Sequence, residues 1–350
     1  MRVLQSFPGA PSTTNPYLLQ LSTHLGPDPD VLGFSWERAL TERYDVFHVH
    51  WPAALLHGST SLRSLVKRLL FRALLFRLWL GRRRTALVRT VHDDHGQRAG
   101  SRTERALLAR LDQRTTLWIR LTPATPMPPA AHVRTIEHGD YREWFGSIDG
   151  SPAMMGRLLF FGLIRPNKGV ADLIEAFTDL RAGPDGEALS LRVVGSPTTT
   201  AVGAEILLAA GADSRVTVSL GHPGDAELAA EIEQAELVVL PYPDLHGSEA
   251  SVLALSMARP ILVPGTPVAR VLQTEVGAGW VFTYAGVLSA ATLGDALTGC
   301  RAGKPGAGRR PDLSARAWPL IAAQHRAAYA TAVRLVKRET EPVPASAEPG

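Results

Sequence analysis

Short apolar segments alternate with helical patterns along almost the whole chain, and this alternation constrains the fold more than any other feature. In the first half, the strand candidates are RVLQSF, VLGFS, DVFHVHW, ALVRTVH, TLWIRLT and VRTIEH. In the second half, they are RLLFFG, LSLRVVG, RVTVSLG, ELVVLPY, PILVPG and GWVFTY. Strands that read as continuous apolar runs and are separated by helices predict parallel sheets that are covered on both faces.

The length predicts two domains, because 350 residues exceed what one hydrophobic core usually serves. We place the break in a Gly- and Ser-rich stretch at 144–156. Doubly wound α/β domains are expected over 1–148 and 156–310, with a ligand cleft between them, since such sheets bind ligands beyond the carboxyl ends of their strands. A helix within 311–337 is expected to pack back across that cleft. The Pro-rich, acidic tail 338–350 is expected to be disordered.

Composition excludes several classes of protein. The single cysteine, Cys300, rules out an internal disulfide framework and a cysteine-cluster metal site, and it fits a reducing compartment. The start of the chain, MRVLQSFPGAP, lacks the apolar region of a signal peptide. No uncharged stretch approaches the ~20 residues that span a bilayer. A cytoplasmic protein is therefore expected, either free or peripheral on the inner face of the cell membrane.

The stretch FFGLIRPNKGVADLIEAF, residues 160–177, places two cations and two glycines before a helix. Its apolar residues recur at i, i+3, i+4 and i+7, which predicts one buried helix face. The amides of the first turn and the helix dipole favour an anion. Arg165 can bind a phosphate through two hydrogen bonds, Lys168 adds a charge, and Gly169 allows close backbone approach. The sequence thus indicates a phosphate site, with a solvated loop as the alternative.

Five motifs in order resemble those of GT-B glycosyltransferases, especially glycosyltransferase family 4. The segment GLIRPNKG is similar to the family's diphosphate loop, G-R-L-x-x-x-K-G. The other four matches are TVHDD (90–94), TIEHGDYREWF (135–145), LRVVG (191–195), and ELVVLPY followed by GSEASVLALSMARPILVP (236–264). Each motif is short, but five occur in order with two-domain spacing, and the resemblance covers nearly the whole chain. The pattern looks closest to bacterial exopolysaccharide mannosyltransferases, which use GDP-mannose and a lipid-linked acceptor.

The resemblance implies a donor site in the second domain and a catalytic site in the first. The residues implied for donor binding are Arg165, Lys168, Gly195, Gly221, Ser248, Glu249 and Ala250. Those implied for an acceptor or phosphate loop are Gly9, Thr14 and Asn15. His92 would face the donor sugar, and Asp93 or Asp94 would serve as base if the transfer inverts configuration; a retaining transfer needs no base. No metal or cofactor is expected beside the nucleotide sugar, since GT-B enzymes typically work without one.

The chain departs from the family pattern at the glutamate pair E-x7-E. Aligning on Pro260 puts Leu253 and Leu245 at these two positions, and Glu249 is out of register. Leu163 stands at the position of the loop arginine. The main alternative is therefore a protein of the same fold that binds a nucleotide sugar without catalysis. A dinucleotide oxidoreductase is a weaker alternative, because no G-x-G-x-x-G follows the first strand.

Two further segments have alternative interpretations. In HVHW, His48 and His50 share one strand face, where they form either half of a metal site or, as we prefer, a packed pair. The segment 61–84, SLRSLVKRLLFRALLFRLWLGRRR, has eight Lys or Arg and no acid. An apolar face through Leu65, Leu69, Ala73, Phe76 and Leu80 predicts an interfacial helix on anionic lipid, rather than a solvated surface helix. Nucleic acid is not expected, because no nucleic-acid-binding fold or aromatic platform accompanies the cations.

Overall fold

The computed structural model describes residues 1–8, 15–92, 100–145, 153–242, 249–303 and 310–338, with the backbone alone for the last residue. The chain forms two compact units. The first contains Met1–His138 and the segment that starts at Trp318, and the second contains Gly139–Ala317. The first unit therefore ends before the Gly- and Ser-rich stretch in which the sequence analysis placed the break.

Each unit contains a six-stranded sheet in which every paired strand is parallel, so the predicted pair of doubly wound α/β domains is confirmed. The elements of the first unit are β1 (Arg2–Gln5), α1 (Pro16–Leu25), β2 (Asp30–Leu32), α2 (Trp36–Thr41), β3 (Val46–Val49), α3 (Ser61–Leu80), β4 (Ala86–Val91), α4 (Arg102–Asp112), β5 (Leu117–Arg120), β6 (Val133–Thr135) and the last helix, α12 (Trp318–Arg338). The strand order is β2-β1-β3-β4-β5-β6.

The first sheet has a hydrophobic core on each face. Val3 and Val46 face the core that α1 and α12 cover, while Leu4 and Phe47 face the core that α3 and α4 cover. This alternation follows from the two-residue period of a strand, and it explains why apolar residues occur on both faces of these strands. The helix α12, expected within 311–337, belongs to this unit and packs on α1 and β4.

The second unit has the strand order β12-β11-β10-β7-β8-β9. Its elements are α5 (Arg142–Phe145), β7 (Arg157–Phe161), α6 (Val170–Asp179), β8 (Ser190–Gly195), α7 (Thr200–Ala210), β9 (Val216–Leu220), α8 (Asp225–Gln234), β10 (Leu237–Val239), α9 (Glu249–Ser256), β11 (Ile261–Pro264), α10 (Pro267–Val276), β12 (Val281–Tyr284) and α11 (Ala290–Ala302). The buried apolar side chains of these strands and helices form one continuous core.

Strand order reverses at one place in each sheet. In the second unit, β8 and β9 lie on one side of β7 and the later strands lie on the other; in the first, β2 lies on one side of β1 and the later strands on the other. Ligands of doubly wound sheets bind beyond the carboxyl ends of the strands at such a switch point. Ligand-binding residues are therefore expected at the carboxyl ends of β7 and β1 and of their neighbouring strands.

Candidate functional site

The loop between β7 and α6 lies at the switch point of the second unit. Arg165 precedes a short 3-10 turn, Pro166–Lys168, and Gly169 has left-handed φ and ψ angles of 64° and 24° just before α6 begins. Within the described residues, no side chain caps the N-terminus of α6. The first-turn amides of this helix therefore remain available to an anion.

Lys168 is held at this switch point by an aromatic ring. Its Nζ lies 3.3 Å from the ring centroid of Tyr242. Tyr242 lies shortly after the end of β10, the strand that pairs with β7. The ring is buried, and a cation over an aromatic face is favourable. Arg165, on the same loop, is half-buried. Both predicted phosphate-binding cations therefore belong to the loop that enters the helix N-terminus.

Three glycines at adjacent strand ends leave the space beyond the sheet open. A Cβ atom on Gly195, the last residue of β8, would lie 1.8 Å from the carbonyl oxygen of Gly162, so no side chain fits there. The amide of Gly221 donates to the carbonyl oxygen of Gly195 at 3.0 Å. Pairing of β8 with β9 therefore brings Gly195 and Gly221 together at the carboxyl ends of these strands, and their predicted role in donor binding stays a prediction.

The remaining donor-site residues lie at the start of α9. Glu249 is its first residue and is exposed, Ala250 is half-buried, and Ser248 lies outside the described residues. Leu253, at the position of the second family glutamate, is packed in the hydrophobic core. The side chain at this position is therefore part of the hydrophobic core and contributes no polar group to the site.

The carboxyl ends of β1, β3 and β4 in the first unit carry a connected set of polar side chains. Gln5 ends β1, His48 lies in β3, His50 immediately follows β3, and His92 immediately follows β4. They are joined by Tyr329 from α12 and by Thr90 from β4. We call this set the histidine chain; it runs in the order His92, His50, Gln5, Tyr329, His48, Thr90.

The contacts in the histidine chain have hydrogen-bond lengths throughout. His92 Nε2 lies 3.0 Å from His50 Nδ1, and His50 Nε2 lies 3.3 Å from Gln5 Oε1. The amide Nε2 of Gln5 donates to the Tyr329 hydroxyl at 3.2 Å. That hydroxyl lies 2.8 Å from His48 Nδ1, and His48 Nε2 lies 2.8 Å from Thr90 Oγ1. The histidine chain therefore extends from the end of β4 into the interior of the first unit.

Burial keeps the inner histidines neutral. It lowers the pKa values of His48 and His50 well below the usual value, and the nearby rings of His325 and of the other histidines add to the effect. Burial also lowers the pKa of His325 on α12 to about 4. His92 is only half-buried and stacks on Trp51, with 4.1 Å between the ring centroids. It is therefore the member of the chain nearest to solvent.

The histidines of HVHW take the packed arrangement. All four ring nitrogens of His48 and His50 are hydrogen-bonded to neighbouring side chains of the histidine chain. Within the described residues, no group of three or more His, Cys, Asp or Glu side chains could hold a metal ion.

The acceptor-loop and base predictions fall largely outside the described part of the chain. Gly9, Thr14, Asp93 and Asp94 are not among the described residues. Asn15 caps α1, where its Oδ1 accepts a hydrogen bond from the Leu18 amide at 3.2 Å. Its predicted role in binding stays a prediction.

Sequence reasoning missed three side chains that shape the two sites. Gln5 and Tyr329 complete the histidine chain, and Tyr242 holds Lys168. Tyr329 and its partner His48 are 281 positions apart, so no local pattern joins them. The only available signal for Tyr242 was its place at the end of the apolar run ELVVLPY, where residues of a doubly wound sheet face ligand.

Comparisons with known proteins place the chain among glycosyltransferases. No protein-family model matches it. It is 41% identical over 327 residues to a GDP-mannose:glycolipid 4-beta-D-mannosyltransferase from Xanthomonas campestris pv. campestris, and the match covers 92% of this chain and 90% of that protein. A second mannosyltransferase of this name, from the same species, matches to the same extent.

Solved structures support the same fold. AviGT4, a glycosyltransferase of avilamycin A biosynthesis, is similar with a TM-score of 0.56 and 13% identity, over 95% of this chain and 98% of that one. Anabaena HepE, solved with UDP and glucose, has a TM-score of 0.54 and 14% identity, over 97% of this chain and 98% of that one. These likenesses confirm the expected GT-B fold.

Proposed function

The chain belongs to the family of GDP-mannose:glycolipid 4-beta-D-mannosyltransferases, and we propose that this glycosyltransferase transfers mannose from GDP-mannose to a glycolipid acceptor. The observation that carries the proposal is 41% identity over 327 residues, which cover 92% of this chain and 90% of the relative. We further propose that the product enters the synthesis of an exopolysaccharide or another cell-envelope glycan. The alternative of a non-catalytic binding protein is not favoured, because the relatives with which the chain aligns are enzymes.

The loop before α6 suits the leaving group of this reaction. Negative charge develops on the diphosphate as the bond to the sugar breaks, and fixed cations and helix amides stabilise it. Lys168, Arg165 and the α6 N-terminus supply these groups, and the glycines at the ends of β7, β8 and β9 keep the backbone accessible. We assign the diphosphate to this loop.

The linkage in the relatives' name bears on stereochemistry. Their name specifies a β-mannosyl linkage, whereas mannose is α-linked in GDP-mannose. If this chain makes the same linkage, configuration inverts at the anomeric carbon, and a base must take the proton of the acceptor hydroxyl. The motifs of this chain are similar to those of glycosyltransferase family 4, whose chemistry is retaining. One glutamate that is usual in that family is replaced here by Leu253, and this difference fits a change to inverting transfer.

Binding and transfer assays test the proposed reaction. Calorimetry with GDP-mannose, UDP-glucose and UDP-glucuronate should show selective binding of GDP-mannose. A transfer assay with a glycolipid whose terminal sugar has a free 4-hydroxyl should then release GDP and give a β-linked product. Selective binding of a uridine nucleotide, or an α-linked product, would overturn the proposal.

The helix α3 suggests how the enzyme reaches a glycolipid. Its two opposite sides are both apolar. One side is buried in the core of the first unit and contains Phe71, Leu74, Leu75 and Leu78. The other side is exposed, and we call it the α3 stripe; it consists of Leu62, Leu65, Val66, Leu69, Ala73, Phe76 and Leu80.

Cations line the α3 stripe. Arg63 and Arg72 are exposed beside it, and Arg82, Arg83 and Arg84 are exposed just beyond its end. The segment 61–84 contains no acid. Exposed leucines flanked only by cations match an anionic lipid surface, which takes the apolar side chains at its boundary and attracts the charges.

We therefore propose that the enzyme lies on the membrane through the α3 stripe, as a peripheral protein. In the part of the chain that the structure describes, no helix is both long and apolar enough to span a bilayer. Co-sedimentation with vesicles that contain phosphatidylglycerol tests the proposal, and binding that is equal for neutral and anionic vesicles would contradict it.

A further inference from the structure

We propose that Gln5, His50 and Tyr329 are positioning residues that hold His92 in one neutral tautomer, with its proton on Nε2. The lone pair is then on Nδ1, and this atom takes the proton of the acceptor hydroxyl. The inference rests on the proposed function and goes further, because it names the base that an inverting transfer requires and the side chains that prepare it.

The direction of the hydrogen bonds follows from one amide group. Gln5 Nε2 donates to the Tyr329 hydroxyl, so its other end, Oε1, accepts from His50. His50 therefore carries its proton on Nε2. A neutral imidazole has only one ring proton, so His50 Nδ1 must be an acceptor. The 3.0 Å contact between His50 Nδ1 and His92 Nε2 is then donated by His92.

The inner end of the histidine chain fits the same direction. The Tyr329 hydroxyl receives a proton from Gln5 and can donate its own to His48 Nδ1. His48 Nε2 then donates to Thr90 Oγ1. One arrangement of protons thus satisfies all the hydrogen bonds of the chain. Rotation of the Gln5 amide would reverse every bond and move the His92 proton to Nδ1.

Burial stabilises this neutral arrangement. Gln5, His48, Thr90 and Tyr329 are fully buried, and His50 is almost so. A charge on either inner histidine would be desolvated without a counterion among the chain's members, and the lowered pKa values of both rings agree with this. The histidine chain therefore orients His92 through neutral hydrogen-bonding groups. A neutral amide orients the catalytic histidine in the same way in some nucleophilic enzymes.

The orientation of the His92 ring is fixed as well. Its plane stacks on Trp51, and Tyr17 contacts it edge-on with 5.4 Å between the centroids. These rings and the bond to His50 define the direction of Nδ1. A base must reach its proton along a defined line, and such support keeps the geometry before the substrate arrives.

The proposed step balances. The acceptor O–H bond breaks and its proton moves to His92 Nδ1, while the oxygen forms a bond to the anomeric carbon of mannose. The bond from that carbon to the diphosphate oxygen breaks, and GDP leaves with the electron pair. His92 becomes an imidazolium that still donates from Nε2 to His50 Nδ1, and it later returns the Nδ1 proton to solvent.

NMR of the full chain labelled with ¹⁵N-histidine tests the tautomer directly. The His92 signals are assigned by their loss in His92→Gln. In the wild-type protein, we expect a protonated Nε2 and an unprotonated Nδ1. Tyr329→Phe removes the hydroxyl that anchors the Gln5 amide, and Gln5→Met removes the amide itself, so a mixture of tautomers is expected in both. Tyr44→Phe is the matched control, because it removes a different buried hydroxyl, which donates to the Ala39 carbonyl oxygen at 2.8 Å.

Kinetics with GDP-mannose and glycolipid supply the second readout. His92→Gln should lower kcat by ~10²–10⁴-fold, the usual contribution of a general base. Tyr329→Phe and Gln5→Met should lower kcat by about tenfold or more through the wrong tautomer, with KM for GDP-mannose unchanged. Thermal melting shows which variants fold, and Gln5→Met replaces Tyr329→Phe if the latter does not.

Each contrary result would overturn a specific part of the proposal. A wild-type His92 with its proton on Nδ1, or a tautomer that Gln5→Met leaves unchanged, would overturn the positioning role. Full activity of His92→Gln would overturn the assignment of the base. A wild-type enzyme that does not use GDP-mannose would instead refute the proposed function, while the NMR result would still decide the positioning.

Discussion

Replacing Leu65, Leu69 and Phe76 with serine should release the enzyme from anionic vesicles while leaving it folded. These side chains are 50%, 54% and 59% exposed, so about half of each is still available to lipid. Full burial of such a side chain contributes ~1.5–3 kcal/mol, and half of it therefore about 1 kcal/mol. The triple variant should lose ~3 kcal/mol of membrane affinity, which is roughly a hundredfold.

The assay is co-sedimentation with vesicles of phosphatidylcholine and phosphatidylglycerol at low and high salt. Leu208→Ser is the matched control, because Leu208 is 82% exposed on α7 and lies outside the α3 stripe. Neutralising Arg82, Arg83 and Arg84 to glutamine should cost ~1 kcal/mol per charge and reduce the salt dependence. A triple serine variant that binds within about threefold of wild type would refute the reasoning, since ~3 kcal/mol was predicted.

Three further changes test the two sites and the stability of the fold. Lys168→Ala should weaken binding of GDP by ~2 kcal/mol or more, because a charge-assisted phosphate contact is lost; unchanged affinity in calorimetry would exclude this lysine from the donor site. The folded-state pKa of His325, about 4, lies below its unfolded value, so stability is complete above pH ~6.5 and falls towards pH 4 by about 3 kcal/mol. His325→Leu should make the pH dependence of denaturant unfolding less steep than in the wild type, with the remainder due to His48 and His50, and the exposed His222→Leu should leave it unchanged; equal slopes in His325→Leu and wild type would refute the assignment. Gly195→Ala should destabilise the protein by ~3 kcal/mol and weaken GDP binding, since its Cβ would lie 1.8 Å from a carbonyl oxygen. Gly224→Ala, which meets nothing within 4 Å, is the control, and equal melting temperatures would contradict the clash.

The strands, and the loop before α6 as a structural element, could be predicted from the sequence because both depend on local patterns. Each of the twelve segments contains a strand in the described structure. The clearest ones, such as β7 and β10, are almost wholly buried, and burial on both faces favours apolar residues. The loop before α6 was predicted because cations, glycines and the amides of a helix N-terminus together favour an anion. The exposed side of α3 was also visible, since Leu65, Leu69, Phe76 and Leu80 follow a helical period.

The candidate catalytic end of the first unit could be predicted only in part. His92 was found through a short motif, but its support depends on contacts between distant segments. Tyr329 lies on α12, and nothing in its neighbouring residues indicates that its hydroxyl meets Gln5 and His48. HVHW suggested either a metal pair or a packed pair, because the spacing of two histidines on a strand is the same in both cases. Only the partners of the four ring nitrogens distinguish these alternatives.

The two carboxyl edges differ in charge in the way that the proposed inverting transfer would require. The edge of the second unit presents Arg165, Lys168 and helix amides, which in our proposal would stabilise the charge of a leaving diphosphate. A cation close to the base would oppose proton uptake, because it would repel the imidazolium that forms. The histidine chain avoids this problem, since burial keeps His48 and His50 neutral, and His50 meets His92 through its neutral Nδ1 acceptor and a ring contact. Mutation of either inner histidine to lysine would therefore be more harmful to kcat than mutation to an isosteric apolar residue, and equal losses in the two variants would argue against an electrostatic role for the chain.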